Sequence, residues 1–192
     1  MKRALGWLLA LLLAGCAHSP EQTFFALSAQ SGPSVPSRPL KVELRRAGLP
    51  GYLDRPHIVR RATAERLELG GDERWGAPLD EMVGATLAEN LSQRLRDCVV
   101  FSDAGAISAT ADVRVEVQLF RFERTAEGDA VLVAEVAVHS TNDKPAIIER
   151  FALREKPASA RTADIVTSLS RLLATLSNGI APLIVRAAAS AS

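Results

Sequence analysis

Residues 112–141 run DVRVEVQLFRFERTAEGDAVLVAEVAVHST, and their apolar pattern is the main basis for the predicted fold. Valine or leucine occupies every second position from 113 to 119, which is the period of a strand with one buried face. A second β-rich run, 130–141, follows a short Glu-Gly-Asp connection at 127–129. The two runs therefore predict a long antiparallel hairpin with about a dozen residues in each arm.

The apolar alternation changes parity within the first arm, where Phe120 and Phe122 follow the odd-numbered valines and Leu119. A change of parity moves the apolar side chains to the other face of a strand. It predicts a β-bulge, or a strand end whose two faces are both covered.

Shorter runs around the hairpin predict the rest of a sheet. Apolar or alternating segments that fit strands occur at 24–27, 40–46, 58–62, 66–69, 99–102 and 147–154. Between the first two of these, residues 28–39 are rich in Ser, Gly and Pro and predict a semi-extended loop.

Two stretches have helical periodicity. Residues 79–97 place their apolar side chains on one stripe, and Pro78 suits the first turn of a helix. Residues 162–188 predict a long C-terminal helix, which the Asn-Gly pair at 178–179 and Pro182 should bend or split. The predicted fold is α+β: a single domain with one mostly antiparallel or mixed sheet and two main helices packed on a face.

The N-terminus has the features of a lipoprotein export signal. Lys2 and Arg3 precede an apolar run that is too short to cross a bilayer and ends in Leu-Ala-Gly-Cys at 13–16. This string resembles the bacterial lipobox, whose cysteine is diacylated and becomes the first mature residue. The alternative is an ordinary signal peptide that happens to have a cysteine near its cleavage site.

The lipobox interpretation divides the chain into three parts. We expect a lipoprotein signal peptide at 1–15, a lipidated tether at 16–23 with Cys16 as the acylated residue, and one folded domain at 24–188. Resemblance to the lipoprotein class also implies that the next residue directs sorting, and Ala17 stands where inner-membrane lipoproteins commonly carry aspartate. We therefore expect a lipid-anchored protein on the periplasmic side of the outer membrane.

Composition and motifs argue against several classes of function. The chain has 23 lysines and arginines against 22 aspartates and glutamates, so its charge gives no reason to expect a nucleic-acid partner. It has three histidines and two cysteines, and neither a Gly-x-Ser-x-Gly nor a His-Glu-x-x-His string. We expect no enzyme, no catalytic residues, no metal and no cofactor; a periplasmic hydrolase is the less favoured alternative.

The segment LPGYLDRP at 49–56 places large apolar side chains between turn-forming residues. Loops keep such residues when they pack under their own domain or when they dock on a partner, because aromatic side chains commonly anchor interfaces. On this chemistry, the candidates for a partner interface are Tyr52, Leu53, Asp54, Arg55 and Trp75. Packing within their own domain is the alternative for the loop and the favoured interpretation for Trp75.

Three motifs together resemble one known family. The segment LPGYLDRPHIVRR at 49–61 resembles the signature of the ABC-type transport auxiliary lipoproteins, the PqiC-like family. The FFAL segment at 24–27 is similar to the aromatic opening of that family. RWGAPL at 74–79, followed by LAENL at 87–91, is similar to the entry into its first helix. The resemblance covers most of the chain after the tether.

The resemblance implies a non-enzymatic periplasmic lipoprotein that works with an MCE-domain protein, which forms a tunnel between membranes for lipid or other hydrophobic cargo. It also implies a homo-oligomeric ring at the outer-membrane end of that conduit. In other members the partners are the permease and ATPase of an organic-solvent-resistance-type ABC transporter, and the sequence does not distinguish the two. A different class of function is a periplasmic lipid-binding shuttle, with an acyl chain held between the long strands and the C-terminal helix.

Overall fold

A computed structural model describes residues 21–107, 109–141 and 145–189. The predicted signal peptide and Cys16 lie outside these residues. The strands are β1 (Thr23–Phe25), β2 (Lys41–Leu44), β3 (His57–Arg61), β4 (Leu67–Trp75), β5 (Val99–Ser102), β6 (Val113–Arg124), β7 (Ala130–Ser140) and β8 (Ile147–Glu155). The helices are α1 (Leu79–Arg94) and α2 (Thr162–Ala189).

The β6–β7 hairpin is the centre of the sheet. Its antiparallel register runs from Val113 opposite Ser140 to Arg124 opposite Ala130, and it shifts by one residue at Phe120. The predicted bulge is therefore confirmed. Beyond it, Phe122 and Glu123 are adjacent and both are buried, so this end of β6 is also covered on both faces.

The other strands join the two sides of the hairpin. β8 pairs with β7, while the free side of β6 pairs in parallel with β2 near its start and with β3 near its end. β5 continues the sheet beyond β2 in parallel, and β4 and β1 continue it beyond β3. The result is one mixed sheet of eight strands with two helices, which confirms the predicted single α+β domain.

The helices fill one face of this sheet. α2 lies along the β6–β7–β8 side, and α1 packs between α2 and β5. By length and composition α2 could cross a membrane, but 61% of its most apolar window is buried inside the protein, as in a core helix. It continues through Gly179 and Pro182 without a break, so the predicted splitting does not occur. At Gly179 the missing side chain makes room for Phe151 of β8, whose Cε1 would lie 2.4 Å from an added Cβ.

Residues 26–39, which we call the strap, join β1 to β2 by crossing the two helices. The amide of Ser28 donates to Ser170 Oγ at 3.2 Å, and the amide of Gln30 donates to Asn90 Oδ1 at 2.7 Å. Further along, Arg38 Nη2 donates to the carbonyl of Ala188 at 3.3 Å. The strap has no helix or strand of its own from 28 to 39, as predicted, yet it is fastened to both helices.

A buried guanidinium fixes the middle of the strap. Arg94 donates from Nη1 to the carbonyls of Gln30 (3.1 Å) and Asn90 (2.8 Å). It also donates from Nε to Asn178 Oδ1 (2.6 Å) and from Nη2 to the carbonyl of Ala174 (3.1 Å). Burial lowers the pKa of Arg94 below its usual value, because these acceptors are neutral. One side chain thus connects the strap, α1 and α2.

Candidate functional site

The loop at 49–56 is held by backbone hydrogen bonds. The amide of Leu53 donates to the carbonyl of Pro50 at 2.9 Å, which closes a turn. The amide of Trp75 donates to the carbonyl of Pro56 at 2.7 Å, which fastens the end of the loop to the end of β4. The loop therefore has a defined position relative to the sheet.

Two of the five candidate interface residues lie mainly in the core. The side chain of Leu53 is 2% exposed and that of Trp75 is 5% exposed, and both belong to the main hydrophobic cluster. Packing within the domain, which was the alternative for the loop and the favoured interpretation for Trp75, therefore accounts for most of their surface. Any contact with a partner is restricted to the small area that remains accessible.

Tyr52 is half-buried over a buried carboxylate. Its hydroxyl donates to Glu123 Oε2 at 2.5 Å, and its ring lies 5.8 Å from the guanidinium carbon of Arg61. Glu123 Oε1 accepts from the Nε atoms of Arg61 (2.9 Å) and Arg121 (3.0 Å). The tyrosine thus ties the loop to β3 and β6.

Opposing effects determine the ionisation of this cluster. Burial alone would raise the pKa of Glu123, but its three hydrogen-bond donors favour the charged form and hold the pKa below its usual value. Burial and the hydrogen bond to Glu123 raise the pKa of Tyr52. At neutral pH the cluster therefore contains a carboxylate, a neutral phenol and two guanidinium groups.

The structure brings the other candidates together around one groove. Asp54 and Arg55 are exposed, and they lie beside the remaining accessible surface of Trp75. The groove has a volume of about 380 Å³, and its other lining residues are Pro56, Ala77, Pro78 and Leu79. We call these seven residues the docking groove. Its position follows from the fold, since the loop, β4 and α1 all meet at this point.

Charged side chains stand beside this apolar surface. Arg46 pairs with Asp80 in the first turn of α1 and approaches Glu81 at 3.9 Å. Although burial opposes ionisation, Arg46 holds the pKa of Asp80 below its usual value. Within the described residues, Asp54 and Arg55 form no salt bridge, but Asp54 lies near enough to Arg46 to help raise the pKa of that guanidinium. The arrangement can accept an apolar side chain while its charges meet opposite charges on a partner.

Sequence reasoning missed Glu123 and the two prolines of the groove. Glu123 lies near the end of β6, where the sequence is rich in charged residues. Its burial is explained by the bulge at Phe120 and by Tyr52, which covers it. Pro56 and Pro78 are remote in sequence and become neighbours because β3, β4 and α1 meet. The sequence marked this strand end as unusual in one way: Phe120 and Phe122 occupy even-numbered positions, whereas the preceding apolar residues of the strand occupy odd-numbered ones.

The interface between α2 and the sheet is filled by apolar side chains. Leu173 and Leu176 of α2 and Leu132 and Val136 of β7 are all fully buried there. An acyl chain between these elements, as in the shuttle hypothesis, would require α2 to move away from the sheet.

The fold is shared with solved structures. A comparison with curated proteins finds no match. A crystal structure of an uncharacterised protein has a TM-score of 0.72 and 21% identity, covering 85% of this chain and 98% of that chain. A Xanthomonas campestris protein of the DUF330 family has a TM-score of 0.74 and 15% identity, covering 88% of this chain and 97% of its own. Likeness at these identities establishes the fold.

The family follows from the sequence match. The family model for the ABC-type transport auxiliary lipoprotein component matches residues 25–181. This range contains the loop at 49–56, the docking groove, the hairpin and most of α2. It confirms the family that the motifs at 24–27, 49–61 and 74–91 resemble. The chain therefore belongs to the ABC-type transport auxiliary lipoprotein family.

Proposed function

We propose that this protein is an outer-membrane-anchored periplasmic lipoprotein that serves an MCE-type transport system without catalysing a reaction. Its cargo would be lipid or another hydrophobic molecule, and its role would be to dock on the MCE tunnel protein. Family membership supports the auxiliary role beside an ABC-type transporter. The Leu-Ala-Gly-Cys string supports removal of residues 1–15, acylation at Cys16 and a tether that ends near residue 23.

The docking groove is the observation that carries the proposed contact. It combines an apolar floor with the exposed charges of Asp54, which lies near Arg46, and of Arg55. Interfaces commonly have this composition, with a desolvated apolar centre and a polar rim. Tyr52 and Leu53 contribute indirectly, because their contacts with Glu123 and the core hold the tip of the loop in place. A homo-oligomeric ring, which the resemblance implies, would present several such grooves to one tunnel.

Charge reversal in the groove tests the docking. The variant is Asp54→Lys combined with Arg55→Glu, in the C-terminally tagged, lipidated protein captured from mildly solubilised membranes. We expect capture of the MCE protein to fall at least tenfold, about 1.4 kcal/mol, with Tm unchanged because both side chains are exposed. Glu149→Lys, an exposed change on β8, is the matched control and should capture normally.

The identity of the captured protein separates the alternatives. Recovery of an MCE-domain protein with the wild type and its loss with the groove variant would support the proposal. Recovery of only a permease and an ATPase would replace it with the organic-solvent-resistance-type assignment. Bound phospholipid without any protein partner would favour the lipid-binding shuttle.

Anchoring is tested separately at Cys16. Cys16→Ala should leave an unprocessed precursor that lacks acyl chains and does not fractionate with the outer membrane. Normal fractionation of this variant would contradict the lipobox assignment. Fractionation of the wild type with the inner membrane would contradict only the proposed sorting.

A further inference from the structure

Exposed apolar side chains concentrate on two neighbouring strands. Phe24 of β1 is 61% exposed, and Leu67 and Leu69 of β4 are 36% and 47% exposed. The other large exposed apolar side chains of the described residues are spread over other parts of the chain. Leu67 and Leu69 are two positions apart on one strand, so they point to the same side. Phe24 lies opposite Arg74, nearer the other end of β4, so we call only Leu67 and Leu69 the apolar patch.

The chain enters the domain next to this patch. β1 pairs in parallel with β4, with Thr23 opposite Glu73 and Phe25 opposite Trp75. Because the strands are parallel, the N-terminal end of β1 faces toward the start of β4. That is the end of β4 that carries Leu67 and Leu69.

The distance from Cys16 is short compared with the domain. Four residues lie between Cys16 and Glu21, the first described residue, and an extended chain over these five Cα–Cα steps spans at most about 18 Å. A domain of this size has a radius of gyration of roughly 15 Å and is therefore roughly 40 Å across. If Cys16 is acylated, the β1–β4 edge must lie close to the bilayer.

We propose that the apolar patch contacts the lipid surface beside the acyl anchor. This inference rests on the proposed lipidation of Cys16, and its occupant is the interfacial region of the membrane rather than another protein. Exposed apolar side chains held at a bilayer leave water when they enter that region. The charged residues on either side of Leu67 are compatible with this placement, because Arg66 and Glu68 pair at 3.0 Å and so partly neutralise each other.

A second point of attachment would orient the domain. An acyl tether alone allows the protein to rotate above the membrane, whereas a tether combined with a patch fixes which end faces the lipid. The docking groove lies at the other end of β4, where Trp75 meets Pro56. The orientation therefore directs the groove away from the bilayer.

Site-specific fluorescence tests the contact in the lipidated full-length protein. Cys98 is first changed to Ser, and an environment-sensitive dye is attached at Leu69→Cys. The protein is then placed in vesicles of phosphatidylethanolamine and phosphatidylglycerol. Ile148→Cys on β8, at a position that is 69% exposed in the wild type, is the matched control. We expect a blue-shifted emission and quenching by lipid-attached quenchers at position 69, and neither effect at position 148.

Each other outcome overturns the inference in a recognisable way. Water-like emission at both positions, in protein that floats with the vesicles, would contradict the membrane contact of the patch. It would still be consistent with the acyl anchor. A shift at position 69 that depends on protein density and is insensitive to the lipid quencher would identify a second copy as the occupant. Failure of the protein to float would contradict both the anchor and the patch.

Discussion

At the scale of single residues, Glu123 makes the stability of the domain depend on pH. Its hydrogen bonds hold its pKa below its usual value, so it stabilises the folded state above the unfolded pKa of about 4.3. That contribution is lost as the pH falls through the lower, folded pKa. We expect Glu123→Gln to lower the free energy of unfolding by about 2–3 kcal/mol at pH 7, measured by urea denaturation.

The difference between wild type and Glu123→Gln should shrink as the pH falls below the unfolded pKa and toward the lower pKa of the folded state, because the wild-type carboxyl then becomes protonated too. Glu116→Gln on the same strand is the control. Glu116 is half exposed and interacts with His139 and Arg114 at the protein surface, so its loss should change stability by less than about 0.5 kcal/mol. Equal losses for the two variants would mean that the Glu123 cluster does not hold the loop.

Gly32 and Arg94 form a second residue-scale test. An added Cβ at Gly32 would lie 2.2 Å from Arg94 Nη2, and the hydrogen bonds of the guanidinium prevent it from moving aside. We expect Gly32→Ala to lower the free energy of unfolding by about 1–3 kcal/mol. Much of that cost should vanish in an Arg94→Ala background, measured as a double-mutant cycle.

Gly51→Ala is the control for this cycle. An added Cβ at Gly51 meets no atom within 4 Å, so the change should be nearly neutral. Additive effects of the Gly32 and Arg94 changes would contradict a direct contact between strap and guanidinium.

Single residues also mark the limit of what the sequence predicts. The loop at 49–56 was recognisable as unusual because it keeps Tyr52 and two leucines among turn formers. Which side chains are buried was not predictable, since Leu53 and Trp75 pack in the core while Asp54 and Arg55 face solvent. Arg94 looked like a charge near a helix end and is fully buried, because the strap covers it from 60 or more residues away.

At the scale of elements, α2 depends on a close approach by β8. Replacing a helical glycine with alanine normally stabilises a protein by about 1 kcal/mol. At Gly179 the new Cβ would lie 2.4 Å from Phe151, so we expect a loss of about 1–3 kcal/mol in the free energy of unfolding. Thermal or urea unfolding measures this change, and a Phe151→Val background should relieve it.

Gly84→Ala in α1 is the matched control, and its expected change in the free energy of unfolding has the opposite sign. An added Cβ there meets only Ser102 Oγ at 3.9 Å, which is an ordinary contact, so the variant should be at least as stable as the wild type. A stabilising Gly179→Ala would mean that α2 and β8 are less closely packed than described.

The bounds of an element were predicted most accurately where the local sequence has a clear pattern of apolar and turn-forming residues. The arms 112–124 and 130–141 correspond to β6 and β7 because alternation and turn residues agree. β4 was predicted only at 66–69 and extends to Trp75, because pairing with β1 draws residues 73–75 into the sheet. That pairing joins residues about 50 positions apart, which no local pattern contains. α1 ends at Arg94 rather than at 97, since Leu95 already leaves the helical conformation.

At the scale of the whole molecule, the two proposed contacts lie at opposite ends of β3 and β4, roughly 15 Å apart along the strands. In vesicle-bound lipidated protein, we expect a cysteine at position 55 to react with a bulky water-soluble maleimide as fast as in detergent. A cysteine at position 69 should react at least tenfold more slowly on vesicles. Gel-shift kinetics measure both rates, and protection of both positions would mean that this side of the sheet lies flat on the membrane.

The strap sets an order of events during export. Its hydrogen bonds join Ser28 to Ser170 and Arg38 to Ala188, across 142 and 150 positions of chain. An exported chain whose N-terminus emerges first must wait for nearly its last residues before these bonds can form. Closure of such long loops also comes late because its entropic cost precedes any gain from contacts. The strap thus closes over the helices only after most of the domain has been exported, and if Cys16 is acylated as proposed, that step has the same interval in which to occur.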